Sequence, residues 1–324
     1  MRTVSFLLVA FALLISACAP RDSLPDDSIP DPAHAQTQNA SPSDPSTSLR
    51  ASPEPGAASP ALTPADKPNA YWVVNPSSGS RLYVTATYPP SWNGETIPAL
   101  VLVPGGTGVS EPNKAARLAA EGFLVITFDP EGRGRSEGTE DYNGFIGQDG
   151  LAAVIEAATS LPGLDADRYG MVSFSYGVTM ATGALARHPD LPIDFYIDWE
   201  GPVNRNYTSG CKPQPAQKIQ WQPCDNEAWW AEREALTFIA DVQVPYQRIQ
   251  SQKDHVQAQN THAIDIVNAA VEAGLPWVRL NEYPAGQTYD ASNPPEMLSD
   301  ALDRQLEQTV AAYARYIIEN VLGR

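Results

Sequence analysis

The sequence predicts an α/β domain with a mostly parallel β-sheet that is covered by helices on both faces. Short, continuous apolar runs recur between residues 99 and 280, and segments with helical spacing of apolar residues separate them. Strands that are apolar throughout are typical of parallel sheets buried on both faces. Residues 70–324 are long enough for one large domain of this class.

The strands are predicted in order along the chain. Tyr71–Asn75 and Arg81–Tyr88 alternate around Ser77-Ser78-Gly79, which indicates a hairpin. The buried strands that follow are Ala99–Val103, Phe123–Phe128, Arg168–Phe174, Ile193–Ile197, Pro245–Ile249 and Trp277–Leu280. Ligands of such sheets bind beyond the carboxyl ends of the strands, so we expect functional residues directly after each strand.

Helical patterns separate these strands, and one segment breaks the alternation. The predicted helices are Asn113–Glu121, Ile146–Ser160, Tyr176–Arg187, Val256–Ala273 and Glu296–Leu322. Residues 199–241, rich in Gln, Pro and Trp, interrupt the alternation after a strand and are interpreted as a lid or cap insertion, or as a surface loop. Cys211 and Cys224 lie in this insertion, and in an exported protein such a pair indicates a disulfide.

The N-terminus carries the pattern of an exported lipoprotein. Residues 1–17 combine Arg2 with an apolar run too short to span a bilayer, and they are interpreted as a signal peptide. The segment Ile15-Ser16-Ala17-Cys18 resembles a bacterial lipoprotein cleavage box, which implies diacylglycerol and fatty-acyl groups such as palmitate on Cys18. An ordinary signal peptide with an incidental cysteine is the alternative.

Residues 18–69 are predicted to be a disordered tether rich in Pro, Ser and Ala. We therefore expect a membrane-anchored protein of the bacterial cell envelope, at the outer membrane and periplasm or at the cell surface. The formal net charge of −17 argues against nucleic acid as a partner. A small ester or peptide substrate is expected instead, without a cofactor, and the oligomeric state is left open.

The segment Ser173-Phe174-Ser175-Tyr176-Gly177 ends a predicted strand and begins a helix of small residues. It resembles the nucleophile elbow of the α/β-hydrolase superfamily, usually G-x-S-x-G, with Ser173 in place of the first glycine. The resemblance implies an eight-stranded sheet of the serine esterase or prolyl-oligopeptidase type. It also implies that Ser175 is the nucleophile.

Two further segments extend the resemblance. Residues 103–108, Val-Pro-Gly-Gly-Thr-Gly, match the position of the family's oxyanion loop, which assigns the N–H groups of Gly106 and Tyr176 to the oxyanion hole. Residues 129–136 resemble the family's D-x-R-G-x-G-x-S turn. Its arginines, Arg133 and Arg135, are interpreted as bracing or solvated residues.

The segments that should carry the catalytic acid and the catalytic base match the family pattern less closely. Residues 244–254 resemble the strand and loop that present the family's catalytic aspartate, which implies that Asp254 is the orienting acid or, alternatively, a helix N-cap. The family's histidine should follow the last strand. Gln287 occupies that position, and an amide does not accept a proton from serine at neutral pH.

The chain contains four histidines. His34 lies in the tether, His188 ends a helix at the far side of the sheet, and His262 lies inside a predicted helix. His255 follows Asp254 at the correct edge of the sheet and is the candidate base, with Asp198 or Glu200 as an alternative orienting acid. Helix capping or substrate binding by His255 is the competing interpretation.

The sequence is compatible with two functions. The first is an active serine hydrolase with Ser175, Asp254 and His255 as catalytic residues. The second is a pseudohydrolase that binds an ester, lipid or peptide without turnover, because Gln287 stands in the usual histidine position. A metal site at Asp254, His255 and His262 is a weaker third idea, since its ligand spacing is loose.

Overall fold

The computed structural model describes residues 60–208, 222–257, 259–299 and 305–324. The predicted signal peptide, Cys18, His34, most of the tether, Cys211 and the centre of the lid lie outside these residues. The lipidation of Cys18 and the pairing of Cys211 with Cys224 therefore stay predictions. In the described part of the chain, no helix has the length and apolar character needed to cross a membrane.

In the part of the chain that the structure describes, one sheet of nine strands forms the centre of the domain. The strands are β1 (Thr63–Pro64), β2 (Ala70–Val74), β3 (Arg81–Thr87), β4 (Ile97–Val103), β5 (Leu124–Phe128), β6 (Leu164–Phe174), β7 (Phe195–Trp199), β8 (Tyr246–Ile249) and β9 (Val278–Leu280). Their spatial order is β1-β2-β3-β5-β4-β6-β7-β8-β9. Strands β4 to β9 are parallel to one another, and β1, β2 and β3 continue the sheet antiparallel at one edge.

The prediction of eight strands was wrong by one. Thr63 and Pro64 pair antiparallel with Trp72 and Tyr71, so strand pairing begins inside the stretch that was assigned to the tether. This strand has two residues and includes a proline at the sheet edge, where the missing N–H costs no ladder bond. A proline-rich pair without alternation gives no strand signal in a sequence.

Helices cover both faces of the sheet. They are α1 (Pro112–Ala120), α2 (Phe145–Ala158), α3 (Gly177–Arg187), α4 (Glu227–Ala231), α5 (Ala235–Phe238), α6 (Thr261–Glu272) and α7 (Leu306–Asn320). Residues of α2, α3 and α6 share one apolar core with the sheet, and residues of α1 and α7 share the other. The expected arrangement of a parallel sheet between two helical layers is confirmed.

Two helix boundaries differ from the prediction for physical reasons. The helix predicted to start at Val256 starts at Thr261, because residues 251–257 form a loop at the carboxyl edge of the sheet. The last helix starts at Leu306 and not at Glu296, and Leu298 instead bridges to Ser251 in that loop. The loop after β8 and the segment around Leu298, which follows β9, therefore contact each other through this bridge.

Candidate active site

Ser175 lies on a sharp turn between β6 and α3. Its φ is +52°, a left-handed conformation that a non-glycine residue adopts at a cost of about 1–3 kcal/mol. The Ser175 N–H donates to the carbonyl of Trp199 at the end of β7 (2.8 Å), and its carbonyl accepts from Val178 in α3 (3.0 Å). The turn is therefore held on both sides, and the hydroxyl of Ser175 is presented above the carboxyl edge of the sheet.

Glycines allow this turn and the β4 loop to approach each other closely. A Cβ on Gly177 would lie 2.7 Å from the carbonyl oxygen of Pro104. A Cβ on Gly105 would lie 2.6 Å from the Phe174 carbonyl oxygen and 2.8 Å from Cβ of Ser175. Neither distance is compatible with a side chain, so both positions require glycine.

The same approach places Gly106 and Tyr176 on the two segments that meet at Ser175. Gly106 has φ +54°, and Tyr176 precedes the first turn of α3. Within the described residues, no hydrogen bond involves the N–H of either residue. Two unengaged N–H groups, one of them at a helix N-terminus, are the donors that an oxyanion hole requires.

Arg133 braces this region from behind. Its buried guanidinium donates to both Glu140 oxygens and to the side chain of Asn143 (2.8 Å), and the Asn143 amide donates to the carbonyl of Tyr176 (2.8 Å). Arg135 instead pairs with Asp66 at the surface (2.7 Å). These contacts agree with the bracing interpretation of both arginines, because neither makes a hydrogen bond or ion pair with Ser175.

His255 is brought to the nucleophile by the loop after β8. Its Nε2 lies 2.9 Å from Oγ of Ser175, and its side chain is 26% exposed. On the opposite edge of the ring, Nδ1 lies 2.8 Å from Oε2 of Glu200. With the Nδ1 proton donated to this carboxylate, the lone pair of Nε2 faces the serine hydroxyl, which is the tautomer of a general base.

Glu200 is the carboxylate that orients His255. It is fully buried at the end of β7 with φ +50°. One oxygen accepts from the backbone N–H of Ser251 (2.9 Å), and the other accepts from the backbone N–H of His255 (3.1 Å) as well as from its ring. The carboxylate thus binds both the loop and the imidazole.

Asp254 lies farther from the ring of His255 than Glu200 does, and its role as orienting acid stays a prediction. Its Oδ1 is 3.5 Å from Nδ1 of His255 and instead accepts from the N–H groups of Val256 (2.8 Å) and Gln257 (2.7 Å). Its Oδ2 accepts from His262 Nε2 (3.1 Å) and from Gln250 (3.0 Å). This is the capping alternative, although the N–H groups it caps belong to a turn before α6.

The pKa of Asp254 reflects these contacts. Burial raises the pKa of the carboxyl, but the hydrogen bond and the charge of His262, together with the hydrogen bonds from Gln250 and the Gln257 N–H, outweigh burial and hold the pKa well below its ordinary value. Asp254 is therefore ionised throughout the neutral range. It stabilises the loop that carries His255.

A buried polar network supports the floor of the site. Arg248 on β8 forms an ion pair with Asp198 and donates to the carbonyl of Gly201 (3.1 Å). It also lies 3.0 Å from Nδ1 of His262. Nδ1 of His262 also lies 2.9 Å from the carbonyl oxygen of Gly201, so this imidazole joins the network as well. Asp198 is therefore neutralised by Arg248 and does not orient His255.

The other predicted positions lie apart from Ser175. Gln287 is exposed and directly follows a turn at residues 285–286 after β9. His188 follows α3 and pairs with Asp149 (2.9 Å). His262 is completely buried and contacts Asp254, Arg248 and Gly201, so the helical interpretation is refined to a buried structural histidine.

Among the described residues, one group offers metal-ligand atoms close together, namely Glu200, Asp254 and His255. His262, which the sequence-based metal idea included, contacts Asp254 from the other side. The facing oxygens of Glu200 and Asp254 already accept backbone N–H groups, and a metal on Nδ1 would displace the Glu200–His255 hydrogen bond. The donor set fits the orientation of an imidazole better than the coordination of an ion.

The sequence left Glu200 as one of the alternative orienting acids, and the structure places its carboxylate 2.8 Å from Nδ1 of His255. The sequence signal was its position directly after a buried strand, at the edge where functional residues collect. Trp199, next to it, was not recognised as part of the site, and its ring stacks on that of His255 with a centroid distance of 4.5 Å and an interplanar angle of 24°. An aromatic residue that ends a buried strand gives no sign of such a contact.

Residues 98–191 match a family model described as the alpha/beta hydrolase fold. No curated protein matches the chain. The matched segment contains the oxyanion loop, the arginine-containing turn and Ser175.

Solved structures with the same fold include proteins described as peptidases and a protein with ferulic acid bound. A dipeptidyl aminopeptidase IV homologue from Bacteroides ovatus superposes with a TM-score of 0.56 at 16% identity, over 79% of this chain and 36% of that one. Acylaminoacyl peptidase from Pyrococcus horikoshii gives 0.52 at 16% identity, over 80% and 40%. The chain thus spans well under half the length of these peptidases.

A third structure is covered almost completely by this chain. Est1E from Butyrivibrio proteoclasticus, with ferulic acid bound, gives a TM-score of 0.53 at 16% identity over 75% of this chain and 96% of that one. At such identities the likeness establishes the fold.

Proposed function

We propose that this chain, a member of the α/β-hydrolase superfamily, is a serine hydrolase that cleaves an ester or a small peptide or amide through Ser175. The observation that carries the proposal is the contact of His255 Nε2 with Ser175 Oγ at 2.9 Å, with Glu200 on the other ring nitrogen. A serine hydroxyl is a poor nucleophile until a base removes its proton, and this contact supplies the base.

The first half of the reaction follows from these positions. Oγ of Ser175 attacks the acyl carbonyl carbon while Nε2 of His255 takes the hydroxyl proton. The buried carboxylate of Glu200 stabilises the imidazolium that forms. The N–H groups of Gly106 and Tyr176 bind the oxygen that becomes negative. The intermediate collapses, the bond to the alcohol or amine breaks, and His255 returns the proton to the leaving group.

The second half releases the enzyme. Water attacks the acyl-serine carbonyl, and His255 again accepts a proton. The acid product leaves, and Ser175 regains its hydrogen. The peptidase and Est1E structures that share the fold support an acyl-transfer chemistry of this type, and the substrate class is proposed at that level.

The test is covalent labelling of the purified chain with a fluorophosphonate probe. Wild type should be labelled at Ser175, whereas the Ser175→Ala variant and heat-denatured wild type should not. Circular dichroism of the variant verifies that it is folded. A folded wild type that takes up no label would favour the pseudohydrolase, a binding protein that retains the pocket without turnover.

We further propose that the chain is exported and anchored by lipid on Cys18, and that Cys211 and Cys224 form a disulfide in the lid. The support is the sequence pattern of the N-terminus and the cysteine pair. Detergent-phase partitioning that is lost in Cys18→Ala tests the anchor. Mass spectrometry of unreduced tryptic peptides tests the disulfide, and separate peptides for the two cysteines would refute it.

A further inference from the structure

The indole of Trp199 stacks on one face of the imidazole of His255. The two rings are stacked at 4.5 Å and 24°, which is an offset parallel contact. On the sheet side, Phe174 packs against the indole with a centroid distance of 6.3 Å, and the ammonium of Lys114 lies 3.8 Å from the centroid of the Phe174 ring. Trp199 is therefore backed by fixed neighbours and is not a free surface ring.

The backbone of Trp199 contacts Ser175, which is the hydrogen-bonding partner of His255. Its carbonyl accepts the Ser175 N–H at 2.8 Å, and Trp199 pairs with Phe174 in the register of β6 and β7. One residue thus contacts the nucleophile through its main chain and the base through its side chain. The next residue, Glu200, supplies the carboxylate.

This stacking contact matters because hydrogen bonds alone do not fix the plane of the His255 ring. The ring lies in a loop with 26% of its side chain exposed, and the bond from Nδ1 to Glu200 constrains one edge only. Rotation about that bond moves Nε2 away from Ser175 while keeping the bond to Glu200. The flat contact with the indole blocks this rotation on one side.

We propose that Trp199 is a positioning residue that keeps the His255 imidazole in the plane in which Nε2 faces Oγ of Ser175. A displacement of about 1 Å between reacting groups is enough to slow an enzymatic step by about a hundredfold. The kinetic part of this inference rests on the proposed hydrolase function, and the spectroscopic part does not.

The kinetic test compares Trp199→Leu with Trp199→Phe, with p-nitrophenyl acetate as the probe. Leucine should lower kcat by about tenfold to a hundredfold and leave KM within about threefold, since the loss concerns the orientation of the base. Phenylalanine keeps a stacking ring and should restore most of kcat. Trp92→Leu removes another half-buried stacked indole, the partner of Tyr88, and should leave both constants unchanged.

The spectroscopic test follows the imidazole CH signals of the full chain by NMR. The chain has four histidines, so His255→Gln identifies the signal of His255 by its loss. The indole ring current should shift this signal upfield in wild type, and Trp199→Leu should abolish that shift. If wild type shows the upfield shift but is not labelled by fluorophosphonate, the proposed hydrolase function is refuted, whereas the stacking of Trp199 on His255 is supported.

The inference is overturned if Trp199→Leu keeps kcat within about twofold of wild type. It is equally overturned if the His255 signal does not respond to that substitution. A fall in kcat that Trp199→Phe does not rescue would assign Trp199 a packing role without positioning.

Discussion

Nε2 of His255 lies 2.9 Å from Oγ of Ser175, although 80 residues separate them in the chain. Ser175 follows β6, Glu200 follows β7 and His255 follows β8, and these three strands are consecutive neighbours in the sheet. In the pattern that the resemblance implied, the acid follows β8 and the histidine follows β9. The carboxylate of Glu200 and the imidazole of His255 each follow a strand that is one position closer to the strand of Ser175, and His255 contacts both of the other residues.

The first prediction concerns which carboxylate orients the base. Glu200→Gln should lower kcat about 10²–10⁴-fold, because an amide in place of this carboxylate no longer stabilises the imidazolium. Asp254→Asn, at the position that the resemblance favoured, should lower kcat far less. Steady-state ester hydrolysis by the two isosteric variants decides between them. A larger loss in the Asp254 variant would return the acid role to that residue.

The second prediction concerns Ser173, which occupies the first-glycine position of the elbow. Its hydroxyl lies 2.7 Å from the Tyr196 hydroxyl and 3.2 Å from Asp198, and all three are completely buried. Ser173→Ala should cost about 1–3 kcal/mol in the free energy of unfolding, because buried polar partners lose a hydrogen bond. Urea denaturation measures this cost.

For comparison, Ser292→Ala removes an exposed hydroxyl and should change the stability by less than about 0.5 kcal/mol. Ser173→Ala should retain ester hydrolysis, since the small size of this residue is what the turn requires. Equal stability of the two variants would mean that the network around Tyr196 is not a stabilising one.

The third prediction concerns the close approach of the oxyanion loop. Gly105→Ala places a Cβ 2.6 Å from the Phe174 carbonyl oxygen, so the loop or the elbow must shift. We expect kcat/KM to fall at least about a hundredfold, as when an oxyanion donor is lost. Gly147→Ala is the matched control, since its Cβ would meet the flexible end of Met180 at 3.2 Å and a carboxylate oxygen of Asp141 at an ordinary contact distance of 3.7 Å. Comparable activity of the two variants would show that the loop position is unimportant.

The fourth prediction concerns acid stability. The pKa of Asp254 is held below its ordinary value of about 3.9, so ionised Asp254 stabilises the fold above that pH. This contribution is lost as the pH falls through the lowered pKa, since the folded state must then protonate the carboxyl. The difference in unfolding free energy between wild type and Asp254→Asn should be constant from pH 5 to 7 and shrink below about pH 4.

Urea titrations of both proteins at a series of pH values measure this difference. A difference that grows on acidification would have the wrong sign for a carboxyl with a lowered pKa. It would mean that burial and not hydrogen bonding dominates at Asp254.

Much of the fold was predictable because parallel strands have a strong signature. Runs such as Phe123–Phe128 are buried on both faces and are apolar except for Thr127, and the elbow at Ser175 combines a strand end, a helix start and small residues. Strand β1 was not predictable, since a two-residue edge strand with a proline carries neither alternation nor apolar character.

The site was predictable only where its residues follow strands. Ser175, His255 and Glu200 were all candidates on that ground, but the choice between Asp254 and Glu200 depends on side-chain directions in a loop. Asp254 turns its oxygens to the N–H groups of Val256 and Gln257, which no sequence pattern separates from contact with His255. The stacking by Trp199 is a tertiary contact without a local signal.

The most direct test of the account is ester hydrolysis by His255→Ala. The variant should lose at least about a thousandfold in kcat, because Ser175 then has no proton acceptor. Gln287→Ala changes the position at which the family has its histidine, and His188→Ala removes a distant histidine. Both variants should hydrolyse the ester as wild type does. Full activity in His255→Ala, or loss of activity in Gln287→Ala, would contradict the assignment of His255 as the base.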